Sequence, residues 1–280
     1  MKLVRFGDAG SERPGLMDGD TLRDLSGVID DVTGDTLGDD TLGKLQSIDP
    51  STLPTVEGNP RLGACVGNFG KFLCIGLNYS DHAAETGAAI PEHPILFFKA
   101  NSAVVGPNDD VYMPRGSECT DWEVELGVVI GTTAKYVSKE DALKHVAGYC
   151  VVNDVSERHF QTQLTGQWTK GKSCDTFGPT GPYLVTRDEI PDVQNLAMSL
   201  DVNGKRMQTG NTNTMIFTVA EIIEHLSGLM TLHPGDIITT GTPPGVGMGM
   251  KPPTYLKVGD VMELEIEGLG RQRQEVKQDA

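Results

Sequence analysis

Apolar residues along this chain recur mostly at every second position, in short runs closed by Gly, Pro, Asp or Asn. That is the spacing of β-strands rather than of long helices. Strands are predicted over residues 71–77, 124–130, 149–153, 183–186, 196–202, 237–240 and 261–267. GLMDGDTLRDL reads as a hairpin bending at Asp18 and Gly19, and Asn203-Gly204 marks a second tight hairpin. Helix signals are fewer. Ser138 caps a predicted helix ending near Gly148, and Thr218 with Glu221 makes a capping box ahead of AEIIEHLSGLM. The residues after Asn78 suit a short helix carrying His82 and Glu85. About sixty acidic, turn-rich residues come first, and the composition shifts near Gly67, so a small domain over residues 1–68 is expected ahead of a larger one over 69–280. With 34 Gly and 16 Pro among short β segments, the chain reads as α+β, mainly β, with a sandwich-like or rolled sheet. Regular βαβ alternation fits less well.

Within this pattern the acidic positions of TDWEVELGVVIG stand out. Residues two apart on a strand share a face, so Glu123 and Glu125 project together while Trp122, Val124 and Leu126 cover the other side. The apolar run YCVVND delivers Asp154 at its end. Three oxygen donors with no Cys or His beside them favour Mg²⁺, Mn²⁺ or Ca²⁺ over zinc. Alternating glutamates are more often a solvated strand face, and the chain repeats the pattern in VMELEIEG with Glu263, Glu265 and Glu267. Spacing alone favours that plainer reading for both runs; the second is read as a solvated face.

Composition narrows the partners. A chain of 280 residues with 38% hydrophobic content can bury a sizeable core. Its 39 acidic and 23 basic residues leave a formal charge of -16, which argues against binding nucleic-acid backbones. MKLVRFGDAG lacks the apolar stretch of a signal peptide, and no run of about 18 apolar residues is present to span a bilayer, so a cytoplasmic protein without membrane contact is expected. Five widely spaced cysteines with no CxxC pair suggest buried, reduced thiols rather than a disulfide framework.

Several motifs are weaker than they look. Gly166 to Ser173 matches GxxxxGK[ST], but Gly178, Pro179, Gly181 and Pro182 follow where a phosphate-binding loop needs a helix. GVGMGM fails the dinucleotide fingerprint in spacing and context. His82 and Glu85 lie three apart, so on a helix the carboxylate could orient the imidazole as a general base, although a surface helix with a chance pair is the commoner case. His93, His145, His225 and His233 sit in turns or amphipathic helices, and no HExxH or nucleophile elbow is present. Lys172 is either a surface lysine or a cation for a substrate charge, and Lys99 in FFKANSAVVGP is equally open. The stiff loop from Thr240 to Gly245 offers backbone and hydroxyl donors, or is merely a connection.

The order GLNYSDHAAE, DWEVELGVVIG, NDVSERHFQ, WTKGKSCDTFGPTGP and TGTPPGVG resembles the fumarylacetoacetate hydrolase family from about Lys71 onward. The first seventy residues resemble, more loosely, the small N-terminal domain of bacterial members. The resemblance implies a mixed β-sandwich roll, a homodimer or higher oligomer, and a divalent metal, Mg²⁺ with Mn²⁺ or Ca²⁺ as alternatives, on Glu123, Glu125 and Asp154. It implies that His82 and Glu85 are a base dyad, that Lys172 is catalytic, and that Arg158, Gln161 and Thr242 contact a small carboxylic acid. Many relatives read DVSARDxQ where this chain has DVSERHFQ, which leaves Glu157 and His159 without an assigned role. GLNYSDHAAETGAAIP and WTKGKSCDTFGPTGP are similar in wording to members labelled ureidoglycolate lyase or 2,4-diketo-3-deoxy-fuconate hydrolase. The activity implied first is hydrolysis of a C–C bond in a 2,4-diketo acid, sugar-derived, releasing pyruvate. Ureidoglycolate cleavage, oxaloacetate decarboxylation and dienoate isomerisation are alternatives on the same site, and a non-catalytic acid-binding protein is the remote one.

Overall fold

Two β-sheets of unequal size pack face to face in the computed structural model, which describes residues 1–81 and 89–279. The larger has ten strands. Its path runs through Thr21–Asp24, Arg13–Asp18, Lys2–Phe6, Gly178–Thr186, Val146–Asn153, Val124–Ile130, Ile237–Thr239, Phe72–Gly76 and Ile95–Phe98, with Val104–Val105 added beside Gly178–Thr186. Most neighbours are antiparallel, but Ile237–Thr239 runs parallel to Phe72–Gly76, so the sheet is mixed. The smaller sheet has five strands in the order Lys205–Asn211, Ala197–Val202, Val261–Ile266, Gly270–Gln278 and Val111–Met113.

Alternation along the central strands explains the layering. Val124, Leu126, Val128 and Ile130 point into a core shared with Leu200, Met262, Leu264 and Ile266 of the smaller sheet and with Ile222, Ile223 and Leu226 of the helix Val219–Leu229. Val129, Cys150, Val152 and Ile237 point the other way, against Leu25, Val32, Leu37, Leu42 and Leu45 of the N-terminal segment. The large sheet is therefore buried on both faces, whereas the small sheet turns Glu265, Arg271 and Arg273 to solvent. Among the described residues no helix is long and apolar enough to cross a membrane. All five cysteines are free, with Cys65, Cys74 and Cys150 buried.

Two sequence expectations need correction. The helix begun at Ser138 spans only Lys139–Ala142, tightens into a 3₁₀ turn, and gives way to a strand at Val146, because Val146, Ala147 and Cys150 are buried between the central strand and Gly178–Thr186. The strand expected at 183–186 starts at Gly178, five residues early. Its prolines remove donors from the ladder, and Gln272, from the other sheet, supplies one, donating to the Val151 carbonyl of the paired strand at 2.8 Å as well as to the Pro179 and Gly181 carbonyls at 3.3 and 2.9 Å. The capping box at Thr218 and Glu221 forms as expected. The Asn203-Gly204 turn forms with φ of 51° and 74°, the left-handed pair a two-residue hairpin requires.

Candidate metal centre

Each acidic residue of the site extends an apolar strand face by one more step of two. Cys150 and Val152 face the N-terminal layer, and Asp154 follows them; Val129 and Gly127 lead back to Glu125 and then Glu123. Phe97 is followed in the same way by Lys99. The same face is thus oily under the N-terminal segment and charged at its far end. An N–H from Asp154 to the Glu123 carbonyl at 2.9 Å keeps the two chains paired beyond the strands.

The carboxylates of Glu123, Glu125 and Asp154 are buried and each offers an oxygen within 4.8 Å of the others. Lys172 Nζ bridges two of them, donating to Glu123 Oε2 at 2.7 Å and Asp154 Oδ2 at 2.8 Å. Buried Lys99 pairs with Asp154 and donates to the Val155 carbonyl at 3.0 Å. Arg158 donates to Asp121 Oδ2 at 2.8 Å and Gln161 Oε1 at 3.0 Å. Its Nη2 lies 2.7 Å from Glu123 Oε1, a buried ion pair. Glu125 accepts the Gly241 N–H at 2.9 Å, and no cation among the described residues pairs with it.

Charge sorts the trio. Burial disfavours the Glu123 carboxylate, but Lys172 and Arg158 outweigh it and hold the group down at about 2. Burial, then the negative charges of Asp154 and Glu123, push Glu125 well above the ordinary carboxylate range. Burial also opposes the Lys172 ammonium, yet Asp154 and Glu123 raise it above its usual value. Four buried carboxylates, with Asp121 included, face three buried cations. Glu125 is the one of the four with no cationic partner among the described residues, and a hard cation beside it would offset the repulsion from Asp154 and Glu123. Two oxygens bound to one Ca²⁺ lie up to about 5 Å apart and to one Mg²⁺ up to about 4.2 Å; this oxygen-only set, within 4.8 Å, meets the first limit and needs only a small closing-in to meet the second.

A cavity of about 110 Å³ opens over the trio, walled by Glu123, Glu125, Arg158, Gln161, Lys172 and Thr242 on its polar side. The structure thus gathers the predicted residues, apart from Asp154 just behind the wall and His82 and Glu85, which lie outside the described residues. Lys172 reaches the site on the single turn Thr169–Lys172, which packs so closely on residues 157–161 that a methyl at Gly171 would come within 2.3 Å of the Glu157 carbonyl. Thr242 gives its hydroxyl proton to the Val124 carbonyl at 2.9 Å and accepts from Gln208 Nε2 at 2.8 Å. Glu157 caps the helix Arg158–Thr162, accepting the Phe160 N–H at 2.6 Å, and His159 is exposed. Sequence reasoning left Lys99 open and passed over Asp121 and Gln208. Asp121 takes the N–H groups of Gly247 and Met248 at 2.7 and 3.0 Å as well as Arg158, so it ties one cavity wall to the cation. No local motif announces residues whose partners are 34 to 127 positions away.

This fold and acidic cavity define a known class. The family model for the fumarylacetoacetate hydrolase C-terminal domain matches residues 71–277, and the chain belongs to that family. A Burkholderia lata protein described provisionally as a hydrolase is 59% identical over 279 residues, 99% of each chain. Among solved structures, the fumarylacetoacetate hydrolase of psychrophilic Exiguobacterium antarcticum is 37% identical with a TM-score of 0.90. Maleylpyruvate hydrolase from Sphingobium sp. SYK-6, solved with manganese(II) and pyruvate, is 29% identical with a TM-score of 0.84. Both comparisons cover 100% of each chain.

Proposed function

We propose that this protein is a divalent-metal-dependent hydrolase of the acylpyruvate type, cleaving a C–C bond in a sugar-derived 2,4-diketo acid and releasing pyruvate. The observation that carries the reading is the buried oxygen-only trio, with Glu125 unpaired by any cation among the described residues, beside a small cavity lined by Lys172 and Arg158. The manganese and pyruvate bound by the maleylpyruvate hydrolase of similar fold support it. Glu123, Glu125 and Asp154 would hold Mg²⁺ or Mn²⁺, and such an ion supplies Lewis-acid stabilisation to the enolate charge that develops on a 2-oxo acid as the bond breaks.

The chain's own groups do the rest. Arg158, in the wall of the cavity with its guanidinium fixed by Gln161 and Asp121, is placed to receive the substrate carboxylate. Two of the three Lys172 N–H groups are committed to Glu123 and Asp154, which leaves one to hold an oxyanion in the cavity. Thr242, its hydroxyl already engaged, shapes the wall. His82, oriented by Glu85, is assigned the activation of water for attack on the distal carbonyl, on the strength of the HxxE spacing. The family match beginning at residue 71 supports a boundary between residues 68 and 69.

The test is pyruvate release from a panel of 2,4-diketo acids with Mg²⁺ or Mn²⁺ present and after chelation. Release that needs the metal supports the reading and ranks the substrates. Urea from ureidoglycolate, CO₂ from oxaloacetate, or isomerisation of a dienoate, with no diketo acid hydrolysed, would overturn it in favour of that chemistry.

A further inference from the structure

The cavity over the acidic trio has an apolar end. Phe97 and Trp168 close it, and the same two residues line a second, outer cleft of about 400 Å³ with Ile95, Leu96 and Gln167. They are the shared wall between a small charged chamber and a larger, partly apolar one. Their rings meet edge to face, centroids 5.5 Å apart and planes at 64°. The indole lies directly against backbone: a methyl at Gly76 would come within 2.3 Å of Trp168 Cζ3, so the bare Cα at this position is what lets the ring sit there.

Trp168 is also fixed relative to the charged end. Its carbonyl accepts the N–H groups of Gly171 and Lys172 at 3.0 and 3.1 Å, so the indole and the Lys172 ammonium belong to one helical turn. The Lys172 ammonium also lies 5.2 Å from the Phe97 ring centroid, so the aromatic pair borders the part of the chamber where Lys172 would hold the oxyanion, beyond the carboxylate held by Arg158. Pockets for drug-sized ligands typically occupy roughly 300–1,000 Å³, and the chamber of about 110 Å³ is well below that range.

We propose that Trp168, backed by Phe97, is the residue that limits acyl length, restricting the protein to 2-oxo acids with a short acyl arm. The proposal rests on the acylpyruvate reading above. Removing the indole joins the chamber to the outer cleft, where Ile95 and Leu96 would accept a longer apolar arm. A single methylene in an apolar pocket is worth roughly 10- to 200-fold in specificity, so an opened wall should show clearly.

The experiment compares wild-type protein with Trp168→Ala and the gentler Trp168→Phe, both with Mn²⁺. It measures kcat/KM for acylpyruvates of increasing acyl length and, separately, calorimetric binding of unbranched 2-oxo acids from pyruvate to 2-oxooctanoate. In Trp168→Ala the preference for the longest over the shortest ligand should rise by about tenfold or more, with Trp168→Phe between. Identical length profiles in all three proteins would overturn the partition while leaving the hydrolase reading standing. A shifted binding profile with no turnover of any acylpyruvate would uphold the partition and sink the hydrolysis.

Discussion

Two strands of this protein carry nearly the same words. Glu123 and Glu125 alternate with Trp122, Val124 and Leu126, and Glu263 and Glu265 alternate with Met262, Leu264 and Ile266. Their apolar positions enter the same core. Their glutamates part company: Glu125 is 2% exposed and has no cationic partner among the described residues, whereas Glu265 is exposed and Glu263 pairs with Arg271 at 3.2 Å. The difference is the number of layers. The first strand lies inside a sheet covered on both faces, the second in a sheet covered on one. An alternating pattern specifies which residues share a face, and only tertiary structure decides whether that face meets water.

The sharpest way to break the comparison is to delete one glutamate from each strand. Glu125→Ala should abolish Mn²⁺ binding and lower turnover roughly a thousand-fold, equivalent to several kcal/mol of lost charge stabilisation. Glu265→Ala should leave both unchanged, with urea-melt stability within about 0.5 kcal/mol. Equal effects of the two would end the distinction.

Lys99→Met probes what the burial of one face demands. It leaves buried Asp154 with Lys172 alone and should destabilise the metal-free protein by about 3 kcal/mol; calorimetry with and without Mn²⁺ should show much of the loss restored by the ion. Next in size, Gln208→Leu strands the Val124 N–H, bonded to Gln208 Oε1 at 3.0 Å. Equilibrium unfolding should record a loss of about 1–3 kcal/mol.

The smallest effect concerns a glutamate that is neither buried nor metal-directed. Lys139, and then the Thr218 N–H and hydroxyl, hold Glu221 at about 2. Its unfolded value is about 4.3, so its contribution is complete above that pH and fades as pH falls toward 2. Thr218→Ala should cost about 1 kcal/mol and flatten this acid dependence in melts followed from pH 5 to 2.

Much of this was written locally. The alternation that marks Val124–Ile130 also puts Glu123 and Glu125 side by side, and the capping box at Thr218 stands as read. What escaped was set by distant partners. The helix after Ser138 stops early because Val146 is needed in the sheet, and the prolines of Gly178–Thr186 hide a strand that Gln272 helps to satisfy from the other sheet. Lys99 and Asp121 could not be assigned from their surroundings in sequence, since their roles come from Asp154 and Arg158. His82 and Glu85 fall outside the described residues, so the dyad still rests on spacing and family likeness.

The central claim is that the buried trio is a cation site, and a crystal grown with saturating Mn²⁺ tests it most directly. The account predicts a single anomalous-difference peak bonded to carboxylate oxygens of Glu123, Glu125 and Asp154. No peak there, with Lys172 still bridging Glu123 and Asp154, would contradict it.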